Sequence, residues 1–411
     1  MREVLISIVS VCMLGSAAPG ASDARLLLQA PSAASTSTGS SLVELDRLRV
    51  EGFDAIYSLD YKTARERFEE MTRVAPENPA GYVYLANNLW LETLKKTRRL
   101  LTTVYTSQSF YEVKTEDRVD VKRDQSFNQF IKQAIAASQA RLAKNSSDVE
   151  ALYYQASAFG LRAAYNTSVK RSFTRAIGDA NQSIKLHKQV LKLDPGYIDS
   201  YLSIGLYDYV IGSLPLGWRM LARIAGLKGN KQKGIENMER VTTSGRLAQD
   251  DARVVLIGIF EKEGQIDKSL ALLDELSRKF PRNYLLGVER GTMLYYLGRV
   301  DEGGKVFAEV LKDERVIETD LDLVHYSWGL ALWNKADYPA ALDRFNQVAR
   351  WPKSEPGLVS LAHLNAGKSL DALGKRQEAI AEYQVVLKRE NVFDSHKQAN
   401  EYSRKAFVGS R

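Results

Sequence analysis

The sequence predicts an all-helical chain of about eight helix pairs, stacked one on the next as a right-handed solenoid. The main observation is a recurring pattern: a usually small residue, a small residue twelve positions later, and a large side chain four positions after that. The next copy begins eighteen positions further on, so the period is thirty-four residues. Five copies have this spacing without interruption: Gly52–Ala64–Phe68, Ile257–Ser269–Leu273, Gly291–Gly303–Phe307, Gly329–Ala341–Phe345 and Gly367–Ala379–Tyr383.

Close crossings between the two helices of each repeat account for this spacing. Two antiparallel helices approach most closely where both carry small side chains, and a large side chain one turn later fills the groove beside the crossing. A Pro ends a helix because it has no N–H to donate and its ring clashes with the preceding turn. Pro76, Pro195 and Pro281 each stand eight residues after the large residue of a repeat, where the second helix is expected to end.

The composition agrees with a chain of helix pairs. Runs of β-branched residues are few, and the ten Pro in 411 residues also argue against a large sheet. A long chain needs no second globular core when each repeat packs only on its neighbours. The 57 Lys and Arg against 50 Asp and Glu leave a net charge of +7, a mixed surface rather than the basic surface of a nucleic-acid-binding protein. Nucleic acid is therefore not the expected partner.

The period and the small–small–large pattern resemble the tetratricopeptide repeat family over residues 45–393, about eight repeats. The resemblance implies paired helices and a scaffold that binds other macromolecules without catalysis. Residues 198–300 are in addition similar to a eukaryotic tetratricopeptide family linked to the clearance of inclusion bodies. This second resemblance, which implies a fold and no mechanism, depends on Tyr201, Ile204-Gly205, Leu214-Pro215, Gly229-Asn230 and Gly234.

Three repeats carry extra residues at the same place. The distance between their two small residues is forty-eight in repeat two, twenty-seven in repeat three and twenty-nine in repeat four, against the usual twelve. The steps from repeat two to repeat three, Ser138 to Ala156, and from repeat three to repeat four, His187 to Gly205, stay at eighteen. We therefore expect insertions of about 36, 15 and 17 residues between the two helices of repeats two, three and four, along one edge of the solenoid.

The N-terminus predicts export from the cytoplasm, to a periplasmic or secreted location. A cationic start is followed by an apolar stretch from Val4 to Leu14 and then by small residues, which is the pattern of a signal peptide over residues 1–24. The stretch is too short to cross a bilayer as a helix, and a buried N-terminal helix is the alternative. The mature chain is expected to begin between about Ala18 and Arg25.

The segments that flank the repeats are also predicted from composition. Residues 25–44 are rich in Ser, Thr and Ala and are expected to form a low-complexity tether. Residues 394–411 are expected to contain a helix that covers the last repeat, with Ala399, Tyr402, Ala406 and Phe407 facing inward. Cys12, the only cysteine, lies in the signal peptide, so the mature chain would have no thiol.

No pattern of catalytic or metal-binding residues is present. The four His residues lack the spacing of a metal site, and His187 occupies the large-residue position of repeat three, which predicts a packing role. The Gly-rich run 226–234 lacks the Gly-Lys-Ser/Thr ending of a phosphate-binding loop. The sequence therefore predicts neither an enzyme nor a cofactor.

Aromatic residues on the first helices are the candidate partner-binding residues. In the tetratricopeptide family, the first helix of each repeat lines the groove. The matching positions in repeats two to four include Val83, Asn87, Ser157, Leu161, Leu202, Leu206 and Val210. Large rings with a polar tip suit the binding of a peptide, and the alternative is that the inserted segments cover this face. The predicted partner-binding residues are Trp90, Tyr153, Tyr209, Tyr295, Tyr326 and Trp333.

Two segments outside the repeat pattern are candidate contact sites. As a helix, the insertion of repeat four would place Trp218 with Leu221, Ala222 and Ala225 on one face, and Arg219 with Arg223 on another. Such a segment either lies on a membrane surface or packs on its own solenoid. The basic run 95–99 either attracts an acidic partner or is the solvated end of a long helix.

The sequence as a whole predicts an exported, non-catalytic scaffold or adaptor that binds a protein or peptide in its groove. The alternative function is that of a peripheral envelope protein whose inserted segments contact lipid or a surface polymer.

Overall fold

The computed structural model describes residues 35–101, 119–224 and 227–408, and the predicted signal peptide lies outside these ranges. Every regular element within them is a helix. The helices are α1 Ser35–Tyr57, α2 Tyr61–Val74, α3 Pro79–Lys96, α4 Val121–Lys144, α5 Val149–Ser168, α6 Phe173–Leu193, α7 Ser200–Gly212, α8 Leu216–Ile224, α9 Lys231–Ser244, α10 Gln249–Lys262, α11 Ile266–Lys279, α12 Tyr284–Tyr296, α13 Val300–Val310, α14 Glu314–Thr319, α15 Leu321–Asn334, α16 Tyr338–Arg350, α17 Pro356–Ala372, α18 Arg376–Leu387 and α19 Ser395–Arg404.

The chain divides into two compact units, and the first contains residues 1–94 and 115–259. In this unit α1 packs on α2, α5 on α6, and α7 on α9, which are the helix pairs of repeats one, three and four. Successive repeats are joined by contacts of α4 with α5 and of α6 with α7. The predicted all-helical fold of paired helices is confirmed here.

The second unit contains residues 95–114 and 260–411. Its helix pairs are α12 with α13, α15 with α16, and α17 with α18, the pairs of repeats six, seven and eight. The last helix, α19, packs on α18 and α17, with Ala399 fully buried and Tyr402 against the same apolar cluster. Ala406 is exposed and lies beyond the end of α19, so the inward position predicted for it was wrong.

Glycine residues stand at the helix crossings, as the spacing predicts. A Cβ atom built on Gly329 would lie 2.7 Å from Cε1 of Phe345, the large residue of the same repeat. The equivalent atom on Gly291 would lie 2.9 Å from Cε2 of Phe307. Only a residue without a side chain allows these rings to pack against the backbone of the first helix.

The turns between the paired helices share one backbone geometry. In each of the five regular repeats the residue seven positions after the crossing residue has a positive φ, and these residues are Leu59, Gly264, Gly298, Ala336 and Gly374. The next N–H bonds back to the carbonyl five residues earlier, for example from Asp337 to Leu332 O at 3.1 Å and from Lys375 to Leu370 O at 2.9 Å. This hydrogen bond is that of a Schellman motif, in which Gly is favoured at the left-handed position.

The extra residues of the three long repeats are accommodated in different ways. In repeat three they lengthen both helices, because α5 continues to Ser168 and α6 begins at Phe173. In repeat four they form α8 between the paired helices α7 and α9. In repeat two α4 begins at Val121, well before the crossing residue Ala134, and residues 102–118 lie outside the described ranges. At the N-terminus α1 begins at Ser35, so residues 35–44 of the predicted low-complexity tether belong to a helix.

The carboxylate of Asp199 joins the beginning of repeat four to the beginning of repeat five within the first unit. Its Oδ1 accepts hydrogen bonds from the backbone N–H groups of Leu247 at 2.8 Å and of Arg246 and Ala248 at 2.9 Å. These residues immediately precede α10. The negative charge therefore satisfies N–H groups at the start of a helix, where the helix dipole also favours an anion.

Candidate functional site

A cavity of about 200 Å³ lies among the helices of repeats two, three and four in the first unit. Its walls come mainly from α3, α5, α6 and α7, and most of the lining side chains are apolar. The residues that the sequence places on the groove side of repeats two to four line it, except Trp90 and Tyr209; they include Val83, Asn87, Tyr153, Ser157, Leu161, Leu202, Leu206 and Val210. A small apolar cavity of this kind is the usual form of a ligand site.

Three buried polar side chains in the wall of the cavity have unused hydrogen-bonding atoms. Asn87 is 1% exposed, and neither its Nδ2 nor its Oδ1 has a partner. Ser183 Oγ and His187 Nε2 are likewise without partners. Buried polar groups in proteins are nearly always paired, so these atoms indicate hydrogen bonds that an occupant of the cavity could complete.

The charges around the cavity are already engaged. Burial lowers the pKa of His187 to about 3, so its ring is neutral near pH 7, with Nδ1 at 3.2 Å from Ser200 Oγ. The carboxylate of Asp199 accepts the backbone N–H groups described above, and that of Asp251 accepts a hydrogen bond from the Tyr57 hydroxyl. The lining residues include no Lys or Arg.

The predicted partner-binding residues of the first unit lie in the interior. Trp90 is fully buried, and its Nε1 donates to Ser168 Oγ at 2.8 Å. Tyr209 is also buried at the crossing of α7 and α9, where a Cβ atom on Gly234 would lie 2.9 Å from its Cα. Both side chains therefore fill spaces between helices instead of facing a partner. Tyr153 alone of the three lines the cavity, with its ring 5.4 Å from that of His187.

The three predicted residues of the second unit pack against different neighbours. Tyr295 is buried, and its hydroxyl accepts a hydrogen bond from Trp328 Nε1 at 2.9 Å. The half-buried Tyr326 accepts one from Asn365 Nδ2 at 3.0 Å. The hydroxyl groups of both rings are therefore engaged by side chains of the second unit itself.

Trp333 is half-buried under the C-terminal segment. Its ring centroid lies 5.5 Å from that of Phe407, and Phe407 N–H donates to Asp371 Oδ2 at 2.8 Å. The buried Asp371 also accepts from Tyr383 Oη and from Arg376 Nη1, each at 2.9 Å. This network holds the chain beyond α19 over Trp333, so the C-terminal segment, and not an inserted segment, covers that position.

Two residues of the basic run 95–99, Lys95 and Arg98, form ion pairs with carboxylates of the second unit. Lys95 Nζ lies 2.8 Å from Asp320 Oδ2, and Arg98 Nη2 lies 2.9 Å from Asp322 Oδ1. Both carboxylates are buried. The expectation of a solvated helix end or a site for an acidic partner was therefore wrong for Lys95 and Arg98, because their charges neutralise carboxylates far along the chain.

Helix α8 exposes an apolar edge. Leu216 is 66% and Met220 59% exposed, and the exposed Arg223 follows one turn later. Arg219 is half-buried and donates to Gly212 O at 3.4 Å. The side chains of Trp218, Leu221 and Ala222, and residue Ala225, lie outside what the structure describes, so the predicted face that they would form has no structural account.

Metal binding and membrane insertion have no candidate among the residues described. Within those ranges, no group of three His, Cys, Asp or Glu side chains is placed to hold a metal ion. Likewise, no helix described is long and apolar enough to cross a membrane.

The unpaired amide of Asn87 is the feature of the cavity that could not be predicted from the sequence. The position of Asn87 on the first helix predicted that it faces the groove, but no sequence pattern indicates that its amide is buried without a partner. His187 was correctly placed as a packing residue at the large position of repeat three, although its free Nε2 was not foreseen. A polar residue at a groove position is the sequence signal that could have singled out Asn87.

Comparisons with known proteins agree with the helix pairs. The tetratricopeptide repeat family profile matches residues 361–390, within repeat eight. No curated protein matches the sequence. A tetratricopeptide repeat protein from Parabacteroides merdae is similar at 14% identity with a TM-score of 0.32, over 78% of this chain and 98% of its own.

Two eukaryotic structures are similar at comparable levels. The human IFIT1 dimer with m7Gppp-AAAA has 13% identity and a TM-score of 0.44, over 88% of this chain and 87% of its own. Yeast Tom70 has 11% identity and a TM-score of 0.39, over 85% and 86%. Scores this low carry no functional argument. The family match covers one repeat, and together with the thirty-four-residue period and the helix pairs of both units it supports a fold of tetratricopeptide repeats for the chain.

Proposed function

We propose that the chain is an exported, non-catalytic scaffold that binds a protein partner on the first-helix face of repeats two to four. The cavity in the first unit is the observation that carries the proposal, since it lies on the face that such repeats offer to partners. Its apolar walls would take up a side chain of the partner, and its few free polar atoms would orient that side chain.

The chemistry of the same site supports binding rather than catalysis. His187 is kept neutral by a pKa of about 3, far from the value near the working pH that an acid–base catalyst needs. Asp199 and Asp251 are occupied as hydrogen-bond acceptors. Both carboxylates are therefore engaged by groups of the protein itself.

Photo-cross-linking tests the binding face. A benzoylphenylalanine at Ser203, a half-buried cavity residue on α7, should cross-link a specific protein in the exported fraction. The same group at Lys185, exposed on α6 and outside the cavity lining, is the matched control and should not cross-link it. Equal products from both positions, or none from Ser203, would reject the assigned face.

Export is a separate part of the proposal, supported by the signal-peptide pattern of residues 1–24. N-terminal sequencing of the native protein should find a start between about Ala18 and Arg25. An intact Met1 in the native protein would contradict export but would not bear on the proposed binding face.

A second candidate function, peripheral contact with a membrane, is favoured by the exposed edge of α8. Leu216 and Met220 lie one turn apart, and Arg223 adds a cation beside them, a combination suited to an anionic bilayer surface. Flotation with phosphatidylglycerol vesicles should recover the wild type but not the Leu216→Ser, Met220→Ser double variant. Equal recovery of both would exclude α8 as the contact.

A further inference from the structure

We propose that the cavity of the first unit recognises a neutral carboxamide group carried on an apolar body. This inference rests on the proposed function in taking the cavity as the binding site, and it names the chemistry of the occupant. The group could be a Gln or Asn side chain of a partner protein or a free small amide.

The side chain of Asn87 points to this chemistry. Its amide is almost completely buried, yet its donor Nδ2 and acceptor Oδ1 are both without partners. A second carboxamide can meet both needs at once, because it offers an acceptor and a donor side by side. The neighbouring Asn88 is equally buried and its Oδ1 is also without a partner, but its Nδ2 donates to Tyr61 O at 3.0 Å and it does not line the cavity.

The charges around the cavity favour a neutral occupant. An anion would approach Asp199 and Asp251 with no Lys or Arg in the lining to compensate it. A cation would lose its hydration against largely apolar walls, while both carboxylates are already accepting hydrogen bonds. His187, held neutral, offers Nε2 as a further hydrogen-bonding atom without adding charge.

The volume sets the size of the occupant. Apolar cavities of roughly 150 Å³ hold a benzene molecule, so the cavity of about 200 Å³ suits a group slightly larger. Hexanamide has a suitable length, with an alkyl chain for the apolar walls and a carboxamide for Asn87. Hexanoate and hexylammonium share the chain and differ in the charge of the head group.

Isothermal titration of the mature chain with these three probes tests the proposal. Hexanamide should bind with a dissociation constant on the order of 1 mM or below, and at least roughly tenfold more tightly than either ion. Asn87→Leu should weaken hexanamide roughly tenfold or more. Lys185→Ala, which alters an exposed residue of α6 outside the cavity lining, should change it less than about twofold.

Circular dichroism of each variant confirms that the helices are retained, and Asn88→Leu provides a second buried-amide control outside the cavity. Unchanged hexanamide affinity in folded Asn87→Leu, or tighter binding of either ion, would overturn the inference. So would an absence of hexanamide binding to the wild type.

The same probe separates the two sources of the amide. If hexanamide binds and suppresses the cross-link at Ser203, the carboxamide belongs to the partner protein. If hexanamide binds but no protein cross-links at Ser203, the ligand is a free amide and the proposed scaffold function fails while this inference stands. If a protein cross-links at Ser203 but hexanamide does not bind, the scaffold function stands and the carboxamide inference fails.

Discussion

Replacement of Gly329 by Ala is a direct test of the helix-crossing interpretation. The added Cβ would lie 2.7 Å from Cε1 and 3.0 Å from Cδ1 of Phe345, and 3.2 Å from Cβ of Arg344. Phe345 is fully buried, with its ring 5.8 Å from that of Tyr326. The ring therefore has little room to retreat, and the helices must separate or distort.

The expected magnitude follows from two opposing effects. Overpacking a well-filled site costs about 1 to 3 kcal/mol, whereas Ala in place of Gly stabilises a helix interior by about 1 kcal/mol. We expect a net loss of about 1 kcal/mol for Gly329→Ala. Gly304→Ala is the matched control, because its Cβ would meet nothing closer than Tyr295 Oη at 3.6 Å, and it should gain about 0.5 to 1 kcal/mol.

Urea unfolding followed by circular dichroism measures both variants under the same conditions. The midpoint should fall for Gly329→Ala and rise for Gly304→Ala, with unchanged slopes. A midpoint that rises equally for both variants would show that Gly329 does not stand at a tight crossing. Gly329→Leu should lower the midpoint further, since a larger side chain must enter the same space.

Three further predictions concern other parts of the molecule. Burial lowers the pKa of His187 to about 3, so as the pH falls the unfolded state binds a proton that the native state excludes. The free energy of unfolding should therefore fall as the pH drops from about 6.5 towards 3. His187→Leu should make the free energy of unfolding less dependent on pH in urea titrations at pH 7 and 5. Ala336 has a φ of 59° at the turn position where three other repeats have Gly, so Ala336→Gly should raise the free energy of unfolding by about 0.5 to 1 kcal/mol, and a lower urea midpoint would contradict the strain. Asp371→Ala removes the acceptor of Phe407 N–H, so hydrogen exchange at Phe407 should accelerate roughly tenfold or more, and an unchanged rate would mean that other contacts hold the segment over Trp333.

The helix pairs could be predicted from sequence because their crossings impose a local and periodic requirement. Gly291 and Gly329 were identified by spacing alone, and the structure places each against the large residue of its own repeat. A crossing between helices that are adjacent in the chain fixes the distance between its residues, so the sequence carries the geometry directly.

The candidate site was less predictable because burial there depends on neighbours that the period does not specify. Trp90 matches a groove position, but its indole is buried and its N–H is bonded to Ser168, at the end of a helix lengthened by extra residues. Lys95 and Arg98 pair with carboxylates more than two hundred positions away. The repeat spacing predicts neither the length of the helices in an insertion nor the charge of a contacting residue that is distant in the chain.

The three backbone N–H groups held by Asp199 bear on how repeat four could acquire extra residues. The hydrogen bonds connect the residue before α7 directly to the start of α10, across the intervening forty-seven to forty-nine positions. The residues between these points can therefore vary in number without displacing the start of α10, provided that the carboxylate is kept. A longer or shorter α8 would then change the surface exposed at this edge of the molecule. The register of the repeats on either side would be preserved.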